Sequence, residues 1–134
     1  MTAELTLICE GCRQSFTDGG CLWVAFAAIN RAQREEAEWQ EAHPPGDIVD
    51  IATLLCGPDE IIWQAHHDRC MPPEGESSYD VDAGHVRTWA GLARWTAHLM
   101  SKTWLELTDW DELLREASGE SPSRRIQAIA QAAA

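Results

Sequence analysis

Cys9-Glu10-Gly11-Cys12, answered far along the chain by Trp63-Gln64-Ala65-His66-His67-Asp68-Arg69-Cys70, decides how this sequence is read. Together the two stretches give C-x2-C and then H-x2-C through His67 and Cys70. That inventory and spacing is what a tetrahedral zinc site built from two knuckles requires. A two-residue spacer on a tight turn lets both side chains of a pair converge on one ion. Gly11 in the first spacer suits such a turn, because glycine accepts positive φ without steric cost. The candidate metal ligands are therefore Cys9, Cys12, His67 and Cys70, holding a structural Zn2+.

Other readings of these residues exist. C-x2-C is also a redox motif, but a redox pair is expected at a helix N-terminus within a βαβ unit. Here Cys12 is followed by Arg13-Gln14-Ser15-Phe16-Thr17-Asp18-Gly19-Gly20, a turn leading to another strand. The second half-site follows the extended-looking run Ile61–Ala65, so each half leaves the end of a predicted strand, as zinc knuckles do. His66 gives a workable H-x3-C alternative, whereas the His67 spacer mirrors the first knuckle. Cys21, in Gly20-Cys21-Leu22-Trp23-Val24, is the rival thiol; its apolar setting favours burial, as does that of Cys56. Five cysteines cannot all pair within one chain, which points to a reducing compartment.

Composition narrows the function classes. At 134 residues the chain has the length of one domain and can bury a core, which seven tryptophans make indole-rich. No apolar run approaches the roughly 20 residues that span a membrane, and no basic-then-apolar leader opens the chain, so a soluble cytoplasmic protein is expected. Twenty-two acidic residues against ten basic ones give a formal net charge of -12. Zinc knuckles often bind nucleic acid, but that use needs a basic footprint, and only Arg13 and Arg69 lie beside the half-sites. The acidity is expected to serve solubility, docking onto a basic partner surface, or mimicry of a nucleic acid's charge. The expected partner is another protein, with neither nucleic acid nor membrane.

The pattern along the chain predicts an α+β fold: a small antiparallel sheet of about three strands carrying two zinc knuckles, packed against several helices. Glu4–Cys9 and Gly20–Phe26 read as a strand and its return, with Asp18-Gly19-Gly20 as turn chemistry between them. Ala27–Glu41 reads as an exposed helix, Ile48–Cys56 as a buried one, and Glu60–Ala65 as the third strand. Met71–Ser78 is a loop by composition and Tyr79–Val81 a short edge strand. Asp82 is placed to cap a long helix over about 83–102, with Val86, Trp89, Ala93, Ala97 and Met100 as its apolar seam and Leu92, Trp95 and Leu99 widening it. Asp109–Ala117 is a further short helix. Residues 1–118 are expected to form a single zinc-stapled domain, and 119–134 a helical or frayed tail.

The order C-x2-C, a tryptophan-bearing strand, Trp63-x3-His67-x2-Cys70, then Trp95-Thr96-Ala97-His98-Leu99-Met100-Ser101-Lys102-Thr103-Trp104 and Thr108-Asp109-Trp110, resembles small uncharacterised proteins of actinobacteria and their phages. The likeness covers the chain to about residue 117, and the paired knuckles are its most specific part. It implies no activity and no catalytic residue. Nine arginines against the single Lys102 are compatible with a GC-rich genome.

Three function classes follow. A non-enzymatic, zinc-stabilised protein-interaction or regulatory module fits the closed Cys3His set, the acidity and the tryptophans. Nucleic-acid binding through the knuckles is opposed by the charge. A metal-dependent hydrolase or nuclease would use His66, Asp68 and Glu10 beside a reactive metal, and needs an open coordination position that Cys3His does not supply. The sequence holds no Gly-rich phosphate loop, nucleophile elbow or HExxH motif.

Overall fold

β1 (Leu5–Ile8) has a buried strand's composition, and it pairs on both edges. In the computed structural model, which describes residues 2–46, 51, 59–72 and 77–132, one edge takes β2 (Ser15–Phe16), with Leu7 opposite Phe16. The other takes β6 (Ile126–Ala128), with Leu5 opposite Ala128 and Leu7 opposite Ile126. A second antiparallel sheet runs in the order β4-β3-β5. Its central strand β3 (Gly20–Ala25) pairs with β4 (Gln64–His67) and with β5 (Ser78–Asp82). Leu22, Val24, Ala65 and Val81 point from this sheet into the core, as the period of two requires.

Helices cover these sheets. α1 (Phe26–Ala42) buries only Ile29 and Ala32, the narrow stripe its sequence offers, and packs on β3 and β5. α2 (Trp89–Leu99) is capped by Thr88, whose hydroxyl accepts from the Gly91 N–H at 3.0 Å. α3 (Trp110–Ser118) carries Asp111 and Glu112 in its first turn and ends at Gly119, whose φ of 86° closes it in the left-handed conformation. It buries Trp110, Leu113, Glu116 and Ala117 against the core and packs on β6, which runs into the short helix α4 (Ile129–Ala132).

Trp63 is the centre of the core. It is fully buried, its indole N–H donates to Thr108 Oγ1 at 3.0 Å, and its ring meets Trp110 edge-on at 5.0 Å between centroids. Beneath it lies a buried charge network. Arg125, wholly inaccessible, donates to Asp109 Oδ2 at 2.6 Å, to the Trp63 carbonyl at 3.0 Å and to the Glu116 carboxylate through both Nε and Nη2. Glu116 also accepts the backbone N–H groups of Arg124 and Arg125. Every buried charge here has partners, the condition under which such groups are tolerated.

Several sequence expectations are corrected. Gly20–Phe26 is not the return strand of β1: the β1–β2 hairpin closes at the Cys9–Gln14 turn, so β1 finds its partner at Ser15–Phe16 and β3 is released into the second sheet. The third strand is Gln64–His67 rather than Glu60–Ala65, because its ladder to β3 runs through the histidines; Ile61 makes only an isolated bridge to Thr108. The helix expected over 83–102 is a 3₁₀ turn at Ala83–His85, capped by Asp82, followed after a break by the shorter α2. Gly91 accommodates the geometry of the break: a Cβ there would strike the His85 carbonyl, so only glycine lets the first turn of α2 pack this close to the 3₁₀ turn. Within α2 the buried residues are Gly91, Leu92 and Leu99, whereas Trp89 and Met100 are exposed. The stretch 119–134 is not simply a helical or frayed tail, since Arg125 and Ile126 are fully buried and β6 adds a strand to β1. The expected helix Ile48–Cys56 lies outside the described residues except for Ile51, and the Met71–Ser78 loop lies partly outside them.

Candidate metal centre

The first knuckle is the turn of the β1–β2 hairpin. The Arg13 N–H donates to the Cys9 carbonyl at 2.8 Å and the Cys9 N–H to the Gln14 carbonyl at 3.0 Å, closing the loop around Glu10, Gly11 and Cys12. The left-handed residue of this turn is Arg13, at φ 64°, and not Gly11. Gly11 serves by its missing side chain: a Cβ there would lie 3.2 Å from the Cys70 Cβ and 3.6 Å from the Cys9 sulfur. The turn is tied to the other half-site by the Glu10 N–H, which donates to the Ala65 carbonyl of β4 at 2.9 Å.

The second knuckle is the end of β4 and the 3₁₀ turn Asp68–Cys70 that follows it. The Asp68 N–H donates to the Gly19 carbonyl at 2.9 Å, so the strand start of β3 fixes where this turn begins. Gly20 pairs with His67 across the sheet, and a Cβ at Gly20 would strike the His66 carbonyl and the Phe16 ring. His67 is then held against Phe16, ring centroids 4.4 Å apart.

The outcome is one compact donor set. The ligand atoms of Cys9, Cys12, His67 and Cys70 all lie within 4.8 Å of one another, and the Cys12 sulfur stands 3.3 Å from His67 Nδ1. Tetrahedral zinc with sulfur at about 2.3 Å places its ligands about 3.8 Å apart, so a small inward adjustment closes the shell. Cys9 is buried, while Cys12 and Cys70 are half-buried.

The electrostatics of the set call for a cation. Burial works against a thiolate at Cys9, but the N–H groups of Cys12, His67 and Gly11 and the His67 side chain outweigh it and hold the thiol down at about 5. Cys70 moves the other way: burial, and then its contacts with the Cys9 and Cys12 sulfurs, raise it. A negative charge on Cys9 or Cys12 disfavours one on Cys70 beside it. A dication held there would remove that repulsion, and three thiolates and a neutral imidazole would ligate it together.

Neither His66 nor Cys21 joins the donor set. His66 is buried and its Nδ1 accepts the Trp23 indole N–H at 2.9 Å, so that nitrogen is committed to the sheet. Cys21, opposite His66 on β3, is buried outside the donor set. Burial, with Asp80, Asp68 and Asp82 nearby, pushes its thiol up to about 12. Cys56 lies outside the described residues. Among the described residues no helix is long and apolar enough to cross a membrane. The Trp23–His66 bond and the close approach at Gly20 escaped the sequence reading. Their only signal was Gly20-x-x-Trp23 facing His66-His67 in a register that sequence does not reveal. Comparison with protein-family models, curated proteins and solved structures finds no match to this chain.

Proposed function

We propose that this protein is a non-catalytic interaction module whose two knuckles are stapled by one structural Zn2+, presenting an acidic surface to another protein. The observation that carries the reading is the convergence of Cys9, Cys12, His67 and Cys70 from two distant segments into one donor set. Three sulfurs and one imidazole fill a tetrahedral shell with no position left for substrate or water, the arrangement of structural sites. The soft thiolate-rich set favours Zn2+ over hard cations. The net charge of -12 supports a protein partner and works against the phosphate backbone of a nucleic acid.

The test separates structural from catalytic metal. Zinc stripped by chelator should take the fold with it, because structural zinc contributes on the order of 10 kcal/mol in small domains. Circular dichroism and thermal melts of stripped and reconstituted protein read this directly. Stripped protein that melts like the loaded form removes the staple from the account.

A further inference from the structure

A groove of about 760 Å³ runs between the end of α2, the 3₁₀ turn Leu105–Leu107 and the start of α3. Its lining is amphipathic: Leu105, Trp110, Leu114 and Met100 supply apolar surface, while Glu60 and Glu106 carry carboxylates on the same wall. The Trp110 indole N–H is spent on Thr96 Oγ1 at 3.0 Å, so the ring offers the groove carbon rather than a donor. Met100 is 72% exposed, an apolar side chain at the rim with nothing over it among the described residues. Glu60 and Glu106 also line a smaller cavity of about 190 Å³ with Asp59 and Glu36, so the acidic wall continues beyond the groove.

Among the described residues neither Glu60 nor Glu106 takes part in an ion pair, and Arg31, which lines a neighbouring cavity with Glu60 and Asp59, closes none there. All ten lysine and arginine residues lie among the described positions, and the ion pairs there use only Arg115, Arg124 and Arg125. Lys102, the one basic residue lining the groove, directs its ammonium over the Tyr79 ring, 5.6 Å from the centroid. Asp111, at the groove's edge, is taken by Arg115 at 3.0 Å. Burial first, and then the neighbouring Asp111, Asp109 and Glu112, raise the Glu60 carboxyl, with Arg125 opposing them.

We infer that this groove docks a basic, amphipathic segment of a partner protein, with lysine or arginine on Glu60 and Glu106 and an adjoining apolar side chain against Leu105, Leu114 and Met100. This rests on the reading of the protein as an interaction module and names the chemistry of what it binds. Charge decides the occupant. A second copy of this chain, at -12, or a nucleic acid would meet repulsion, whereas a basic segment gains both steering and contact. Apolar anchors beside paired charges are the usual composition of a helix-binding groove.

The experiment uses the full, zinc-loaded chain and a short synthetic peptide of leucine and lysine with its leucines at helical spacing, followed by fluorescence anisotropy. Two controls accompany it: the same peptide with glutamate for lysine, and oligolysine without leucine. The expected result is saturable binding of the leucine–lysine peptide that exceeds both controls. The double variant Glu60→Gln/Glu106→Gln should weaken it about tenfold, as loss of two partly desolvated pairs implies. Glu38→Gln/Glu120→Gln removes the same charge elsewhere and should change it less than about twofold. Equal losses in the two double variants, or no saturable binding at all, overturn the proposal. Zinc content measured on the same samples keeps the readings apart: peptide binding by zinc-free, folded protein sinks the staple and leaves the groove, and zinc-loaded protein that ignores the peptide does the reverse.

Discussion

Replacing Arg125 with methionine removes the buried cation that bonds two buried carboxylates, leaving only the exposed Arg124, 3.8 Å from Glu116. Asp109 is 2% exposed and Glu116 0%, and Arg125 bonds both as well as the Trp63 carbonyl. Methionine fills much of the arginine volume, so the cost lies chiefly in two buried carboxylates that keep their backbone N–H donors, from Trp63 to Asp109 and from Arg124 and residue 125 to Glu116, but lose their buried cation. Breaking a buried pair in this way costs about 3–5 kcal/mol, against a total of about 5–15 kcal/mol for a typical domain. The Arg125→Met midpoint in urea, followed by tryptophan fluorescence, should therefore fall by roughly a third or more. The pH dependence has a definite sign. Burial disfavours the Glu116 anion, but Arg125 and the N–H groups of Arg124 and Arg125 outweigh it and lower its pKa from the ordinary 4.5. A carboxylate lowered in the folded state stabilises above its unfolded pKa and loses that contribution as pH falls through the lower folded value. The wild-type protein should thus lose stability below about pH 4.5, and Arg125→Met should lose less over the same interval. A variant within about 1 kcal/mol of wild type at pH 7, with the acid slope unchanged, refutes this account of the buried network.

Other substitutions test the metal centre and its scaffold. Cys70→Ser should lower the melting temperature sharply and release zinc, whereas Cys21→Ala, outside the donor set, should keep its zinc and melt closer to wild type. His67→Ala should lose the metal, while His66→Ala should retain it and lose only about 1–3 kcal/mol, because the buried Trp23 indole N–H is left without its acceptor; zinc analysis alongside chemical denaturation distinguishes them, and zinc loss in His66→Ala reverses the assignment. Gly20→Ala should destabilise measurably, since its Cβ would meet the His66 carbonyl and the Phe16 ring where β3 passes the second knuckle. A Gly20→Ala melt matching wild type contradicts that packing.

The candidate donor set was legible because ligand chemistry is local. Cys9/Cys12 and His67/Cys70 each announce a knuckle through a two-residue spacer, and no tertiary information is needed to see it. The α+β class was legible for a related reason, as β1 and β3 carry strand composition and α1 and α3 helix composition in their own sequence, with Gly119 marking the end of α3. Strand partnership was not. Nothing in Glu4–Cys9 says that its neighbour is Ser15–Phe16 and the distant Ile126–Ala128 rather than Gly20–Ala25. The long apolar stretch from Val86 to Met100 suggested one helix because periodicity does not register a close backbone approach such as that of Gly91 to the His85 carbonyl. Arg125 in Ser123-Arg124-Arg125-Ile126 reads as an ordinary surface residue. Only the meeting of Asp109, Glu116 and Trp63 around it makes its burial favourable.

The central claim is that one zinc ion joins the two knuckles through three sulfurs and one imidazole nitrogen. Zinc K-edge X-ray absorption on protein purified without chelators tests it most directly. The account predicts one zinc per chain with three sulfur neighbours at about 2.3 Å and one nitrogen neighbour at about 2.0 Å. A shell rich in oxygen, an open position occupied by water, or protein that carries no zinc would contradict it.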